Sequence, residues 1–268
     1  MVEGAASTKS LASFKPRPVI ALTSFNTAIL FAPADAKTTL TSDASSATGY
    51  HIIANESTTY KGGAYTAVGY TSGGVAVVAW YDASKRQLVY SYNENPATVD
   101  SDGTTWQENA TVIDASYAGW YVDLAVDSSD GIHIAYYKSS SGDLKYAYIE
   151  NYKKASDAKV ITVDSYLSVG TNITINTKGT VPYIYYYNTS ANQTTNSIKV
   201  AWQNDTTTLR DGALNDKFTG AWESMTIPTS NIPNDATVSG GVPTAGTYSG
   251  EVVLGYMTDV YFEKAELK

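Results

Sequence analysis

One strand–turn–strand unit recurs along this chain, and that recurrence limits its possible folds more than any other feature. The clearest pair is VAVVAWYDASKRQLVYSY, from Val75, and HIAYYKSSSGDLKYAYI, from His133. Aligning Ala79 with Ala135 also aligns Leu88 with Leu144, Tyr90 with Tyr146 and Tyr92 with Tyr148. Each segment alternates its side chains at period two around a polar turn, which is the pattern of a hairpin with two different faces. A third copy, YIYYYNTSANQTTNSIKVAW from Tyr183, matches Tyr185 to Ala135 and Ile198 to Leu144 once its Asn-, Ser- and Thr-rich turn is enlarged. A fourth, EVVLGYMTDVYFEKAEL from Glu251, puts Gly255 at the anchor position. A fifth and more diverged copy, TAILFAPADAKTTLTS from Thr27, puts Leu30 there.

A further strand precedes each copy behind a tight turn: PVIALTSFN, TAVGYTSGG, YVDLAVDSSDG, ITINTKGT and SGGVPTAGTYSG. The Ser-Asp-Gly and Ser-Gly-Gly turns supply the positive φ that such hairpins need. A fourth strand follows most copies, read at YHIIA near Tyr50, TWQENATVID near Thr105, AKVITVD near Ala158 and AWESMTIP near Ala221. The unit is four short antiparallel strands, repeated five times at anchors roughly fifty residues apart with a longer last step. This predicts an all-β, five-bladed β-propeller of four-stranded antiparallel blades, one domain over residues 1–268, with 1–7 as a leader. The last copy has no fourth strand of its own, so the segment Ser10-Leu-Ala-Ser-Phe14 is expected to close the fifth blade and remove two open edges. A β-sandwich is the competing architecture, and it would need long crossovers between sheets.

Composition narrows the function classes. There are 22 Tyr and 20 Gly, but only 16% charged residues, which suits pleated strands and tight turns better than helices. A net charge of −8 argues against nucleic acid, which needs a basic groove, and against an anionic membrane surface. The absence of cysteine excludes disulfides, thiolate chemistry and Cys-ligated zinc. No apolar run reaches transmembrane length. The opening MVEGAASTKS has no charged region followed by an apolar stretch. The expectation is a monomeric extracytoplasmic protein whose export signal lies outside this sequence.

The stretch AVDSSDGIHIAYYKSSSGDLKYAYI, Ala125 to Ile149, resembles repeats of bacterial exported β-propellers of uncharacterised role. The resemblance implies the fold and an extracytoplasmic address, and no particular activity. The segment Asp100-Ser-Asp-Gly-Thr-Thr-Trp106 is similar to the Asp-box turn of sialidase-type propellers, except that Asp102 adjoins Gly103. Such a turn is structural. Trp106 and Trp222 are expected to act as packing pegs between blades.

Glycoside hydrolysis is the main enzymatic reading, because five-bladed propellers host it. It needs two carboxylates about 5–9.5 Å apart across the scissile bond. Acids on or near the inner strands are Asp82, Asp123, Asp127 and Glu251. Asp127 lies in a capping turn and Asp82 faces a hairpin. Asp123 alternates with Val122 and Leu124 and can face a central channel, so Asp123 and Glu251 are the acids to test. His51 and His133 fall in different repeats, the Asp127–Gly131 turn offers too few oxygens for calcium, and no nucleophile or phosphate-loop motif occurs, so no metal or cofactor is expected. Aromatic residues occur at both parities of several strands: Trp80-Tyr81, Trp120-Tyr121, Tyr136-Tyr137 and Tyr185-Tyr186-Tyr187. Alternate side chains face opposite ways, so these rings are shared between blade packing and an exposed face. Tyr65, Trp120 and Tyr121 precede inner strands and are the first candidates for a sugar-stacking pocket. Asp123 joins them, as do Asp82, Lys138 and Asn188 at equivalent hairpin positions. The reading is a non-catalytic binding module for a glycan or surface molecule. A glycoside-active enzyme and a protein-interaction scaffold are the alternatives.

Overall fold

Strands and tight turns alternate as the repeat requires, and each sheet is an antiparallel meander in chain order. The computed structural model describes residues 20–23, 29–32, 51–55, 57–62, 65–97, 102–165, 168–189, 197–203, 222–226, 243–248, 251–258 and 261–266. The first sheet holds β1 (Ile20–Thr23), β2 (Ile29–Ala32) and β3 (His51–Ala54). The second holds β4 (Thr66–Tyr70), β5 (Ala76–Asp82), β6 (Gln87–Asn93) and β7 (Thr111–Asp114). The third holds β8 (Ala118–Val126), β9 (Ile132–Lys138), β10 (Asp143–Ile149) and β11 (Lys159–Asp164). The fourth holds β12 (Ser168–Lys178), β13 (Val181–Thr189), β14 (Ser197–Trp202) and β15 (Glu223–Thr226). The last holds β16 (Pro243–Tyr248), β17 (Glu251–Thr258) and β18 (Tyr261–Glu266). Register agrees with the repeat: the anchors Ala79, Ala135, Tyr185 and Gly255 face Ala67, Asp123, Thr174 and Thr244 on the strand before. The segment 8–14, expected to close the ring, and the leader 1–7 lie outside the described residues.

The core lies between sheets, and strand alternation divides it. On β5, Trp80 turns back to pack with Ile53 of the first sheet and Trp106. Its neighbour Ala79 turns forward to a cluster with Leu124, Ile134 and Tyr136 of the third sheet. On β9 the pattern repeats: Ala135 looks forward to Ile173, Ile184 and Tyr186 of the fourth sheet. Each fully buried large apolar side chain contributes roughly 1.5–3 kcal/mol.

Polar ties follow the same repeat. The Tyr136 hydroxyl donates to Asp114 at 2.8 Å, where Lys138 Nζ also lies 2.8 Å from the carboxylate. The Tyr186 hydroxyl donates to Asp164 at 2.7 Å, with Lys199 Nζ at 3.5 Å. At the matching place on β5, the Trp80 indole donates to the Lys61 carbonyl at 3.1 Å. Burial and then the adjacent carboxylate hold both phenols well above their ordinary range, so they remain donors.

One sequence expectation needs correction. Residues 105–114 are not one strand: Thr104–Glu108 form α1, and β7 begins at Thr111. Gly103, at φ 78°, turns the chain into the helix, and Asp102 accepts the Thr104 N–H at 3.0 Å. The helical turn rotates Trp106 into the gap before the preceding sheet, where it is fully buried. Trp222, just before β15, fills the corresponding gap beside Tyr146 at 5.2 Å. The packing-peg expectation therefore matches both, and the Asp-box likeness loses its strand-to-strand turn. Among the described residues, no helix is long and apolar enough to cross a membrane.

Candidate functional site

The site forms at the leading end of the sheets, where each first strand begins and the second strand turns into the third. At this end β8 and β12 share one distortion. Their registers break twice, around Trp120 and around Thr171. Gly119 (φ 107°) and Tyr121 (φ 52°) produce the break in β8, and Gly170 (φ 95°) and Asn172 (φ 49°) produce it in β12. A Cβ on Gly119 would meet Leu88 Cα at 3.2 Å, and one on Gly170 would meet Leu144 Cα at 2.9 Å. Leu88 and Leu144 are repeat equivalents, so the bulge presses against the preceding sheet the same way twice. Asn tolerates the left-handed region, whereas a bulky Tyr there carries strain of order 1–3 kcal/mol.

That strained residue joins five rings into one cluster. Tyr65 lies 4.8 Å from Tyr121 and 6.1 Å from Trp120, the latter at an interplanar angle of 29°. Tyr81 meets Trp120 edge-on at 6.1 Å and Tyr65 at 6.4 Å, and Tyr137 lies 6.3 Å from Tyr121. The cluster bridges the second and third sheets, with Tyr121 and Tyr137 also packing toward the fourth. Burial first, then Tyr121 through charge and a side-chain hydrogen bond, holds the Tyr65 hydroxyl above its ordinary range. The indole Nε1 of Trp120 is enclosed and has no hydrogen-bond partner.

The remaining candidates are placed differently. Asp82 is fully buried and caps its own hairpin, accepting from the Ser84 N–H at 2.9 Å, the Ser84 hydroxyl at 2.7 Å and the Gln87 amide at 3.3 Å. Lys138 is bound to Asp114. Asn188, on β13, keeps its Oδ1 enclosed without a partner. Asp123 accepts the Leu124 N–H at 2.9 Å through one oxygen. Its other oxygen accepts the Thr174 hydroxyl at 2.9 Å and the Ile175 N–H at 3.0 Å. It therefore ties the first strands of two neighbouring sheets. Glu251 pairs with Tyr248 beside the turn of its hairpin, at the opposite end from the cluster. Tyr65, Trp120 and Tyr121 are thus brought together, and the polar companions are not gathered around them.

Sequence reasoning missed a buried polar chain in the third sheet. Asp127 accepts from the Ser129 and Gly131 N–H groups at 2.7 and 2.9 Å, and its second oxygen lies 2.9 Å from His133 Nε2. His133 Nδ1 lies 2.7 Å from the Tyr146 hydroxyl. The alternation of His133 with Ala135 gave no sign that the turn carboxylate folds back onto the ring. Among the described residues, no group of three or more His, Cys, Asp or Glu side chains could hold a metal ion.

Repeated four-stranded antiparallel sheets, cores between sheets and an aromatic leading end define an all-β protein of the propeller class. Among solved structures the chain is similar to a bifunctional GH43-CE protein from Bacteroides eggerthii, at 12% identity and a TM-score of 0.51, covering 97% of this chain and 32% of that one. It is also similar to the polysaccharide lyase Uly1 (10% identity, TM-score 0.48, 96% and 57% covered). A third is a GH43 endo-arabinanase from Bacillus licheniformis (8% identity, TM-score 0.45, 98% and 96% covered). The chain spans about a third of the first protein's length and somewhat over half of the second's. No protein-family model matches the chain, and no curated protein matches it.

Proposed function

We propose that the chain is a carbohydrate-directed β-propeller that acts on glycosidic linkages, holding a sugar chain against the cluster of Tyr65, Tyr81, Trp120, Tyr121 and Tyr137. The observation that carries this reading is the five-ring cluster itself, kept at the leading end at the expense of a strained tyrosine. Aromatic faces stack on sugar rings, and phenol and indole edges hydrogen-bond hydroxyls. The GH43 designation of the Bacteroides eggerthii protein supports placing the enzyme first. Asp123 and Glu251 stand at different levels of their own strands. Glu251 lies four residues along β17 from the anchor Gly255, roughly 13 Å at strand rise, whereas Asp123 is level with the anchor Ala135.

One observation favours a non-catalytic glycan binder as the second reading. Asp82, Asp114, Asp123, Asp127 and Asp164 all hold hydrogen bonds within the fold. The test is incubation with neutral polysaccharides (arabinan, xylan, glucan, galactan) and with polygalacturonate, followed by reducing-end assay and affinity electrophoresis. New reducing ends establish the enzyme. Retardation without products establishes the binder. Neither result, for any polymer, removes carbohydrate from consideration and leaves a protein partner.

The same proposal includes five blades in a closed ring, with residues 8–14 completing the last sheet, and a monomer acting outside the cytoplasm. Among the described residues the last sheet has three strands, and a fourth would cover its edge. Deleting residues 1–14 is expected to lower the melting temperature, and an unchanged value would refute this closure.

A further inference from the structure

The aromatic cluster holds one enclosed hydrogen-bond donor that nothing inside the protein uses. Trp120 Nε1 is enclosed with no partner, and the Trp120 ring stacks with Tyr65 and meets Tyr81 edge-on. Buried polar groups in folded proteins are nearly always paired; the Trp222 indole and the Tyr185 hydroxyl share this lack of a partner, but Trp120 Nε1 is the one that lies in the five-ring cluster at the leading end. A second oddity adjoins it. The bulges of β8 and β12 have the same backbone form, and Asn172 satisfies one of them with a residue suited to positive φ. The fold therefore does not require Tyr121, whose ring instead holds Tyr65 in place through close contact and a hydrogen bond.

We infer that Trp120 Nε1 is a concealed binding donor, exposed when a ligand parts Tyr65 and Tyr81 from the indole, and that its acceptor is an uncharged sugar oxygen, a hydroxyl or ring ether. This rests on the carbohydrate reading and specifies the residue and the ligand chemistry. An anionic group at this place would need a cation, and those of the neighbouring turns are already engaged. Lys138 is bound to Asp114, Lys85 lies over the Tyr60 ring at 4.7 Å, and Arg86 stacks on Tyr117 while donating to its hydroxyl. The net charge of −8 opposes polyanions further.

The experiment follows the five tryptophan indole N–H resonances in 15N-tryptophan-labelled protein, with Trp120→Phe identifying the Trp120 signal by its disappearance. The probes are neutral arabino-, xylo-, gluco- and galacto-oligosaccharides, with oligogalacturonate of equal length as the anionic counterpart. The expected result is a Trp120 signal that moves downfield on saturation with a neutral probe and stays in place with oligogalacturonate. Trp120→Phe and Tyr121→Asn should each weaken neutral binding at least about fivefold, as expected for loss of a hydrogen bond or an aromatic contact. Tyr121→Asn should retain the wild-type circular dichroism, because β12 already carries Asn in this geometry. Binding without movement of the Trp120 signal, or undiminished binding by Tyr121→Asn, would overturn the inference and leave the carbohydrate reading intact. No binding of any probe by calorimetry would overturn both.

Discussion

Asp123→Ala tests whether the carboxylate nearest the central strands serves the fold or the chemistry. Asp123 is 6% exposed and accepts three hydrogen bonds, two of them from the neighbouring sheet. Alanine leaves the Thr174 hydroxyl and the Ile175 N–H without this acceptor inside the interface. Each stranded donor costs about 1–3 kcal/mol, so the variant should lose about 3–5 kcal/mol. At roughly 2–4 °C per kcal/mol for a chain approaching this size, its melting temperature should fall by about 6–20 °C. Asp123→Asn keeps one acceptor oxygen and should lose about half as much, and Thr174→Val should lose about 1 kcal/mol. Thermal and urea unfolding followed by circular dichroism give the order Ala, then Asn, then Val in decreasing damage. Asp123→Ala melting within about 2 °C of wild type would refute the reasoning. Unchanged stability with lost polysaccharide cleavage would move Asp123 from the fold to the reaction.

Three further outcomes are expected. For Asp127, burial pushes the carboxyl up, but hydrogen bonds from His133, Gly131 and Ser129 outweigh it and hold it below the ordinary value. Its stabilisation is therefore complete above the unfolded value of about 3.9 and is lost as pH falls through the lower folded value; urea unfolding from pH 5 to 2 should show this slope, and Asp127→Asn should flatten it. Tyr136→Phe and Tyr186→Phe should each cost about 1.5–3 kcal/mol, with Tyr186→Phe the larger, because Tyr186 donates to the buried Asp164 and Tyr136 to the half-buried Asp114. Gly170→Ala should destabilise by about 3 kcal/mol or more, since its Cβ would meet Leu144 Cβ at 2.8 Å; Gly179→Ala, with nothing within 4 Å, should cost only about 1 kcal/mol for its φ of +64°.

Strand order and register were readable because period-two alternation and turn chemistry are local, and the repeat multiplied a weak signal. Ala79, Ala135, Tyr185 and Gly255 fall at one level for that reason. The helix at Thr104–Glu108 was not readable as one, because five residues are too few to show a helical period; its purpose, turning Trp106 into the interface, is visible only with the neighbouring sheet in place. The aromatic part of the site was legible from Tyr65, Trp120 and Tyr121 preceding inner strands. The ties of Asp123 to Thr174 and of Asp127 to His133 were not, since they depend on how a side chain crosses between sheets or folds back over a turn. A clue did exist for the bulge. Gly119-Trp-Tyr and Gly170-Thr-Asn stand at equivalent repeat positions, and the Asn marks a left-handed residue.

The two faces of each sheet are not interchangeable. Trp80, Tyr136 and Tyr186 all reach backward, while Ala79 and Ala135 receive the next sheet. Each described junction, from the first sheet to the fourth, is thus head to tail, with a socket on one side and a plug on the other. A fragment cut to the second and third sheets would carry one unused plug and one unused socket of matching design. Contacts of that kind close into rings if the rotation permits and otherwise extend without limit. The device that orders the units along one chain would, in a truncated one, become a polymerisation interface.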